Sequence, residues 1–234
     1  MNKKSGKFIV FEGPDGSGKA TQARLLATAL KNEGYQVKEI DFPQYGHKSA
    51  GLVENYLSGN YGLAEEVGPY RASIFYACDR YDASFILKKW IEEGNIVIAD
   101  RYTSSSAAHQ GGKIGDSMER KKYLDWLYNL EYGIFGIPKP DITLILKTSV
   151  ELSYKLSLKN EEDKKKKKVS HLGKKGRDIH EEDFNHLENA FNTYLYLARE
   201  YPNDFKLIEC IDNGELMPAL EIHNKIKNII DKEL

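Results

Sequence analysis

Residues 13 to 21 read Gly-Pro-Asp-Gly-Ser-Gly-Lys-Ala-Thr, directly after the apolar run Phe8-Ile9-Val10-Phe11 and directly before a helical pattern. A strand that ends in a glycine-rich turn and reopens as a helix is a phosphate-binding loop. The glycines let backbone N–H groups close on phosphates, Lys19 reaches the outer ones, and the helix N-terminus adds positive potential. Gly13, Pro14, Asp15, Gly16, Ser17, Gly18, Lys19, Ala20 and Thr21 are therefore the expected cradle of a nucleoside triphosphate, and Lys19 its first catalytic candidate. Ala20 stands where a metal-binding hydroxyl is usual, and the nearest hydroxyl is Thr21. A Mg²⁺ ion here would lean more on carboxylates.

Such a loop requires a parallel sheet covered by helices, and the rest of the chain has the length and pattern for one. Short apolar runs from Phe8 to Phe11, Gln36 to Ile40, Asn95 to Ala99, Ile142 to Leu146 and Leu207 to Ile211 predict five strands. Their near-continuous hydrophobicity suits burial on both faces. Helical patterns lie between them, the first using Ala23, Leu26, Ala27 and Leu30, with Gly34 placed to end it. This alternation predicts an α/β fold. A long helix is expected from after Ala64 to about Glu93, carrying the stripe Tyr70, Ile74, Ala77, Tyr81, Phe85 and Trp90 as core or subunit interface. At 234 residues the chain suits one sizeable core, hence a single domain.

The formal net charge of −1 gives no electrostatic footprint for sequence-independent nucleic-acid binding. Cys78 and Cys210 are too few for a disulfide framework and are expected to be small buried residues, which favours a reducing, cytoplasmic setting. The N-terminal apolar stretch is too short for a signal or a membrane span, so no membrane partner is expected. One segment breaks the pattern. Between Lys159 and Arg177 lie the run Lys164 to Lys168 and the pair Lys174-Lys175 with almost no apolar content, which predicts a mobile, solvated loop, and its place before the helix expected near Ile179 is where a phosphate-loop fold would carry a lid, over about 157–180.

A second chemical cluster is Asp100-Arg101-Tyr102 at the carboxyl end of the third expected strand, where open parallel sheets bind ligands. Asp100 is placed to hold a metal or its water shell. Arg101 is placed to clamp a phosphoryl group with two-point contacts that a lysine cannot make. Asp79-Arg80 on the long helix is a third phosphate-type candidate, although either arginine could equally form a structural ion pair.

In combination and order these motifs resemble the thymidylate kinase family over nearly the whole chain. The resemblance is carried by Phe11-Glu12-Gly13-Pro14-Asp15-Gly16-Ser17-Gly18-Lys19, Phe42-Pro43-Gln44-Tyr45, Cys78-Asp79-Arg80, Asp100-Arg101-Tyr102 with Ser105, Ser106, Ala108 and Gln110, and Pro138-Lys139-Pro140-Asp141. It implies a three-layer P-loop fold with a five-stranded parallel sheet in the order 2-3-1-4-5, ATP and dTMP as substrates, Mg²⁺ as cofactor, and a homodimer. It also implies residue roles. Asp15, Lys19, Arg101 and Arg177 would be catalytic. The acceptor would meet Asp15, Phe42, Pro43, Tyr45, Tyr76, Arg80, Arg101, Ser106, His109, Gln110, Asp178 and Glu181, with Arg101 on its phosphate and Arg80 on its base edge. Asp15, Asp100 and Thr21 would hold the metal.

Three departures from the family pattern stand out. Gly16 occupies a position where one subgroup carries a catalytic arginine, which shifts the transition-state cation to the lid. Leu156 and Leu158 fall where lid arginines are expected, leaving Arg177 and the lysines. His109 replaces the aromatic that in the family helps exclude a 2′-hydroxyl. A deoxynucleoside kinase and a kinase-like binding protein without turnover are the alternatives. Two arginines on the acceptor side argue against the first, and the missing lid arginines with Ala20 keep the second open as a minor alternative. No Asn-Lys-x-Asp guanine-reading motif supports a GTP-dependent switch.

Overall fold

The computed structural model describes residues 6–155 and 184–234. The expected lid, with Arg177, Asp178, Glu181, Leu156, Leu158 and the lysine run, lies outside the described residues.

A parallel sheet forms the middle layer. Its strands are β1 (Lys7–Glu12), β2 (Val37–Asp41), β3 (Ile96–Asp100), β4 (Ile142–Lys147) and β5 (Phe205–Glu209), in the order β2-β3-β1-β4-β5. That is the order the resemblance implied. β1 lies in register with both neighbours, Ile9 opposite Ile98 of β3 and Ile142 of β4. Side chains alternate across the pleat, so β1 feeds two cores at once. Ile9 and Phe11 pack with Leu26 and Leu30 of α1 (Lys19–Asn32), and Phe8 and Val10 pack with Ala83 and Leu87 of α3 (Ala64–Glu92). Between α1 and α3 lies the short α2 (Gly51–Leu57). Burying four such side chains on both faces contributes roughly 1.5–3 kcal/mol apiece and explains the unbroken apolar run.

Later helices complete the layers. α4 (Thr103–His109), α5 (Ser117–Tyr128) and α6 (Phe184–Glu200) share a core through Ala107, Leu124 and Tyr194. α7 (Ala219–Ile230) covers the α1 side with Ile222, Ile226 and Ile230. Gly34 does end the first helix, its φ of 92° lying beyond the last turn and its N–H bonding the Lys31 carbonyl.

Four expectations change. β2 is an edge strand with exposed Lys38 and Glu39, so it is not buried on both faces as its apolar neighbours suggested. The fifth strand begins two residues earlier than the run Leu207 to Ile211. After Glu209 the chain leaves the sheet, and Ile211–Asp212 pairs with Glu215–Leu216 across Asn213-Gly214, both at positive φ, the signature of a tight hairpin turn. The long helix is interrupted at Gly68 (φ 74°, ψ 164°), which only glycine adopts without strain, and Pro69 restarts it with its φ already helical. Finally, Cys78 is half-buried, whereas Cys210 is buried as expected.

The stripe on α3 also divides. Ala77 is buried, but Tyr70, Ile74, Tyr81 and Phe85 are exposed, Phe85 by 62%. The same face carries the contacts Tyr81 to Phe85 and Tyr81 to Phe135, at 5.4 and 5.0 Å between ring centroids. The exposed part of the stripe is therefore not core of this chain, whereas Ala77 is buried and Trp90 packs against the cluster of Phe8, Val10 and Leu87.

Candidate active site

The carboxyl ends of β1 and β3 open into a cavity of about 470 Å³. Its walls include Asp15, Gly16, Gly18, Lys19, Ala20 and Thr21 from the glycine-rich turn, Phe42, Pro43 and Tyr45 after β2, and Tyr76, Asp79 and Arg80 from α3. Asp100, Arg101, Ser106, His109 and Gln110 close it from β3 and α4, with His186 and Leu187 of α6. Seventeen of these, all but His186 and Leu187, were singled out from sequence and share one space. Gly13, Pro14 and Ser17 lie behind it in the body of the turn, and Gly13 has no room for a side chain: a Cβ there would stand 2.8 Å from the Leu146 carbonyl oxygen.

Backbone geometry builds the phosphate cradle. Gly13, Gly16 and Gly18 all have positive φ, Gly18 as the residue that opens α1. Lys19 folds its ammonium back over the turn and donates to the carbonyls of Gly13 (3.0 Å) and Pro14 (2.9 Å). Burial, and then the nearby Arg101, push its pKa down to about 8, against the pull of Asp15, Asp100 and Glu12.

Arg101 is the one non-glycine residue at the site held at positive φ (70°), a conformation of a kind that concentrates at functional positions. Its guanidinium donates to Asp15 Oδ1 at 2.5 Å and to Ser105 Oγ at 3.2 Å, and lies 3.3 Å from His109 Nε2. Burial alone would raise the Asp15 carboxyl, but Arg101, Lys19 and His109 together hold it well below the usual carboxylate range. The departure at His109 now has a structural setting. Its ring touches the arginine clamp on one side and approaches His186 Nε2 through Nδ1 at 3.4 Å on the other.

Two carboxylates that the sequence reading left without a role organise the site. Glu12, buried at the end of β1, accepts from the Tyr102 N–H (2.9 Å), Ser104 Oγ (2.9 Å), Ser105 Oγ (2.7 Å) and Tyr194 Oη (2.7 Å). It thereby pins the turn that carries Arg101. Glu131, in the π-helical segment Asn129–Ile134, accepts both fork donors of Arg80, Nε at 2.6 Å and a terminal nitrogen at 2.7 Å. Its one mark is the π-helix, a form frequent at functional sites, and periodicity does not reveal one. Asp79 also proves to be an anchor: it accepts from the Gln44 N–H and Ser49 Oγ and so ties the segment after β2 to α3.

Phe42 follows β2 through a cis peptide bond to Pro43 and packs edge-on against Tyr102, with Tyr45 exposed at the cavity rim. Gln110 is oriented by Lys113, which donates to Gln110 Oε1 at 2.8 Å. Cys78 and Cys210 supply no nucleophile: burial raises both thiol pKa values, that of Cys210 to about 12. Among the described residues no group of three or more His, Cys, Asp or Glu side chains forms a metal cage.

The comparisons agree with this geometry. The sequence model of the thymidylate kinase family matches residues 11–194. A probable thymidylate kinase of Thermococcus onnurineus is 32% identical over 237 residues, covering 97% of this chain and 98% of the relative. A thymidylate kinase of Mycobacterium tuberculosis is also 32% identical, over 148 residues that cover 62% of this chain and 68% of the relative. In fold, the thymidylate kinase of Candida albicans superposes with a TM-score of 0.71 at 21% identity, covering 98% of this chain and 92% of that one. With the family match spanning most of the chain and a relative aligned along almost its full length, the protein belongs to the thymidylate kinase family.

Proposed function

We propose that this chain transfers the γ-phosphoryl group of ATP to the phosphate of dTMP, releasing ADP and dTDP. The observation that carries the reading is the shared cavity, whose walls bring together the glycine-rich turn with Lys19, Arg101 and Arg80. An oxygen of the acceptor phosphate attacks the γ-phosphorus while the bond to the β,γ-bridging oxygen breaks and its electrons leave with ADP. Two anions must meet for this, so catalysis depends on fixed positive groups and on excluding water.

In this reading the backbone N–H groups of the turn from Gly13 to Thr21, all but Pro14, and the Lys19 ammonium hold the ATP phosphates. Arg101 grips the acceptor phosphate, and Asp15 sets the direction of that guanidinium. Phe42, Pro43, Tyr45 and Tyr76 wall the nucleoside, while Arg80, Ser106 and Gln110 face its base and His109 its sugar. Arg177 supplies the lid cation that Gly16 cannot, with Asp178 and Glu181 beside the acceptor. Mg²⁺ fits the donor set: Asp100 keeps a buried carboxylate oxygen, Oδ1, without a hydrogen-bond partner among the described residues, and Thr21 lines the same cavity. Asp15, Asp100 and Thr21 would hold the ion, directly or through water, and when bound it neutralises charge on the transferring phosphates.

The assembly we infer is a cytoplasmic homodimer joined through the exposed stripe of α3. Supporting it are the aromatic face of Tyr81 and Phe85 and the two cysteines, neither in a disulfide. No helix among the described residues is long and apolar enough to cross a membrane.

The test is a coupled ADP-release assay with ATP, Mg²⁺ and each of dTMP, dUMP, UMP, dCMP, dGMP and AMP. Strong preference for dTMP is the expected result. Absence of turnover with every acceptor, despite measurable dTMP binding, would replace the reading by a nucleotide-binding protein that does no chemistry.

A further inference from the structure

His109 of α4 and His186 of α6 meet in the wall of the cavity, His109 Nδ1 lying 3.4 Å from His186 Nε2 and the ring centroids 5.5 Å apart. On the opposite edge of its ring, His109 Nε2 lies 3.3 Å from a terminal nitrogen of Arg101. That contact sets the direction of the whole row, because a guanidinium only donates. The same Arg101 nitrogen gives one hydrogen to Ser105 Oγ at 3.2 Å, whose own hydrogen goes to Glu12, and directs its second at His109 Nε2. Nε2 therefore accepts through its lone pair, Nδ1 carries the one ring hydrogen, and His186 Nε2 accepts that hydrogen in turn. In this arrangement both rings are neutral.

The packed elements surround the pair with fixed charges. Among the described residues, Arg101 and Asp100 face this space from the end of β3, Asp15 from the glycine-rich turn, Lys19 from α1, and Glu12 from β1 through Ser105 and Tyr194. Tyr194 stands edge-on to His109 at 6.1 Å between centroids. Its hydrogen is committed to Glu12 and burial holds its hydroxyl well above the usual range, so it does not titrate with the histidines. His186 is 7% exposed, and two charged rings at this spacing would repel, so the pair holds one extra proton at most.

We infer that His109 is a further ligand of the acceptor phosphate, and that the His109–His186 pair takes up a proton from solvent when that phosphate binds. This rests on the acceptor reading given above. A phosphate entering the Arg101 fork draws the guanidinium hydrogens to its own oxygens and sets an acceptor against the Nε2 lone pair. Protonation at Nε2 turns that opposition into a charge-assisted hydrogen bond, while Nδ1–H still donates to His186. Reversing both tautomers would also present an N–H, but without charge. A phosphate monoester carries close to two negative charges at neutral pH, of which Arg101 balances one and the imidazolium the other. The proton returns to solvent when the phosphate leaves the site.

The experiment is calorimetric titration of dTMP into the enzyme at pH 7.5, repeated in buffers of different ionisation enthalpy. The slope of binding heat against that enthalpy counts the protons taken up. An ordinary histidine titrates near pH 6.5, so the rings start almost wholly neutral, and the parent should take up about half a proton or more per dTMP bound. His109→Gln keeps an acceptor for Arg101 but binds no proton, so its uptake should fall close to zero. Lys19 is common to both proteins, and any proton that it takes up cancels in the difference. Equal uptake by a folded His109→Gln enzyme would overturn the inference.

If His109→Gln does not fold, nitrogen-15 NMR of the imidazoles in the parent gives the same answer without a variant. Adding dTMP should convert one ring from the neutral pattern, with one bare nitrogen, to the charged pattern, with none. Rings that stay neutral, a pair that only reverses its tautomers included, would overturn the inference as well. A parent that does not bind dTMP would defeat the acceptor reading instead, so the two failures are distinguishable.

Discussion

Replacing Lys19 by methionine should abolish ATP turnover and, at neutral pH, relieve the empty enzyme of an unfavourable charge. The ammonium is buried and beside Arg101, and its pKa falls from 10.5 to about 8. At 1.36 kcal/mol per pKa unit, keeping it charged in the fold costs about 3 kcal/mol below pH 8. Methionine also forfeits the bonds to the Gly13 and Pro14 carbonyls, about 1 kcal/mol each, so the net gain at pH 7 is only about 1 kcal/mol.

The sharper signature of Lys19→Met is its pH dependence. Between pH 8 and 10.5 the unfolded parent binds a proton at Lys19 that the folded parent has lost, so parent stability rises with pH relative to the variant. Urea unfolding of both proteins without nucleotide at pH 8 and pH 10 should show the difference in unfolding free energy moving toward the parent by about 2 kcal/mol. Other titrating groups are common to both proteins and cancel. A difference that stays constant across this range would refute the assignment of a depressed Lys19. The same pKa predicts that kcat/KM for ATP falls above about pH 8 in the parent, while bound phosphates hold the lysine charged to higher pH and spare kcat.

Three further outcomes are expected. Gly13→Ala should lower stability by about 2–4 kcal/mol in urea melts, because its Cβ would meet the Leu146 carbonyl at 2.8 Å and its φ of 137° disfavours a side chain. Arg101→Lys keeps the charge but loses the fork that spans Asp15 and Ser105, so KM for dTMP should rise about tenfold or more with KM for ATP little changed, as read by initial rates. On the homodimer proposed above, introducing Tyr81→Glu and Phe85→Glu together should halve the mass measured by equilibrium sedimentation, while thermal unfolding of the described fold persists, since both side chains are exposed; a parent that already sediments as a monomer would refute the proposed assembly.

What could be read from the chain follows the range of the interactions involved. The phosphate loop was legible because its requirements are local: three glycines at positive φ and a lysine folded over its own turn within seven residues. Strand order followed from the resemblance, whereas strand boundaries did not follow from hydrophobicity. Leu207 to Ile211 reads as one run, yet the hairpin turn at Asn213-Gly214 draws Ile211 out of the sheet. The exposed face of α3 shows the same limit, since an apolar stripe is identical in sequence whether it meets the core or another surface.

Within the site, the sequence pointed to the groups that face a ligand but not to those that hold them. Arg101 and Arg80 sit in short motifs, while their supports are distant: Glu12 bonds Tyr194 across 182 positions, and Glu131 bonds Arg80 across 51. A glutamate in an apolar stretch carries no local mark of burial. Yet these two carboxylates decide what the arginines can do. The support of Arg101 is a backbone turn at positive φ with a half-buried aspartate partner, the setting in which, on the function proposed above, a phosphate would take the place of Asp15. The support of Arg80 is a buried two-point ion pair with Glu131. Two residues of the same type, both lining the same cavity, sit in different electrostatic settings because one faces a half-buried aspartate and the other is locked against a buried glutamate.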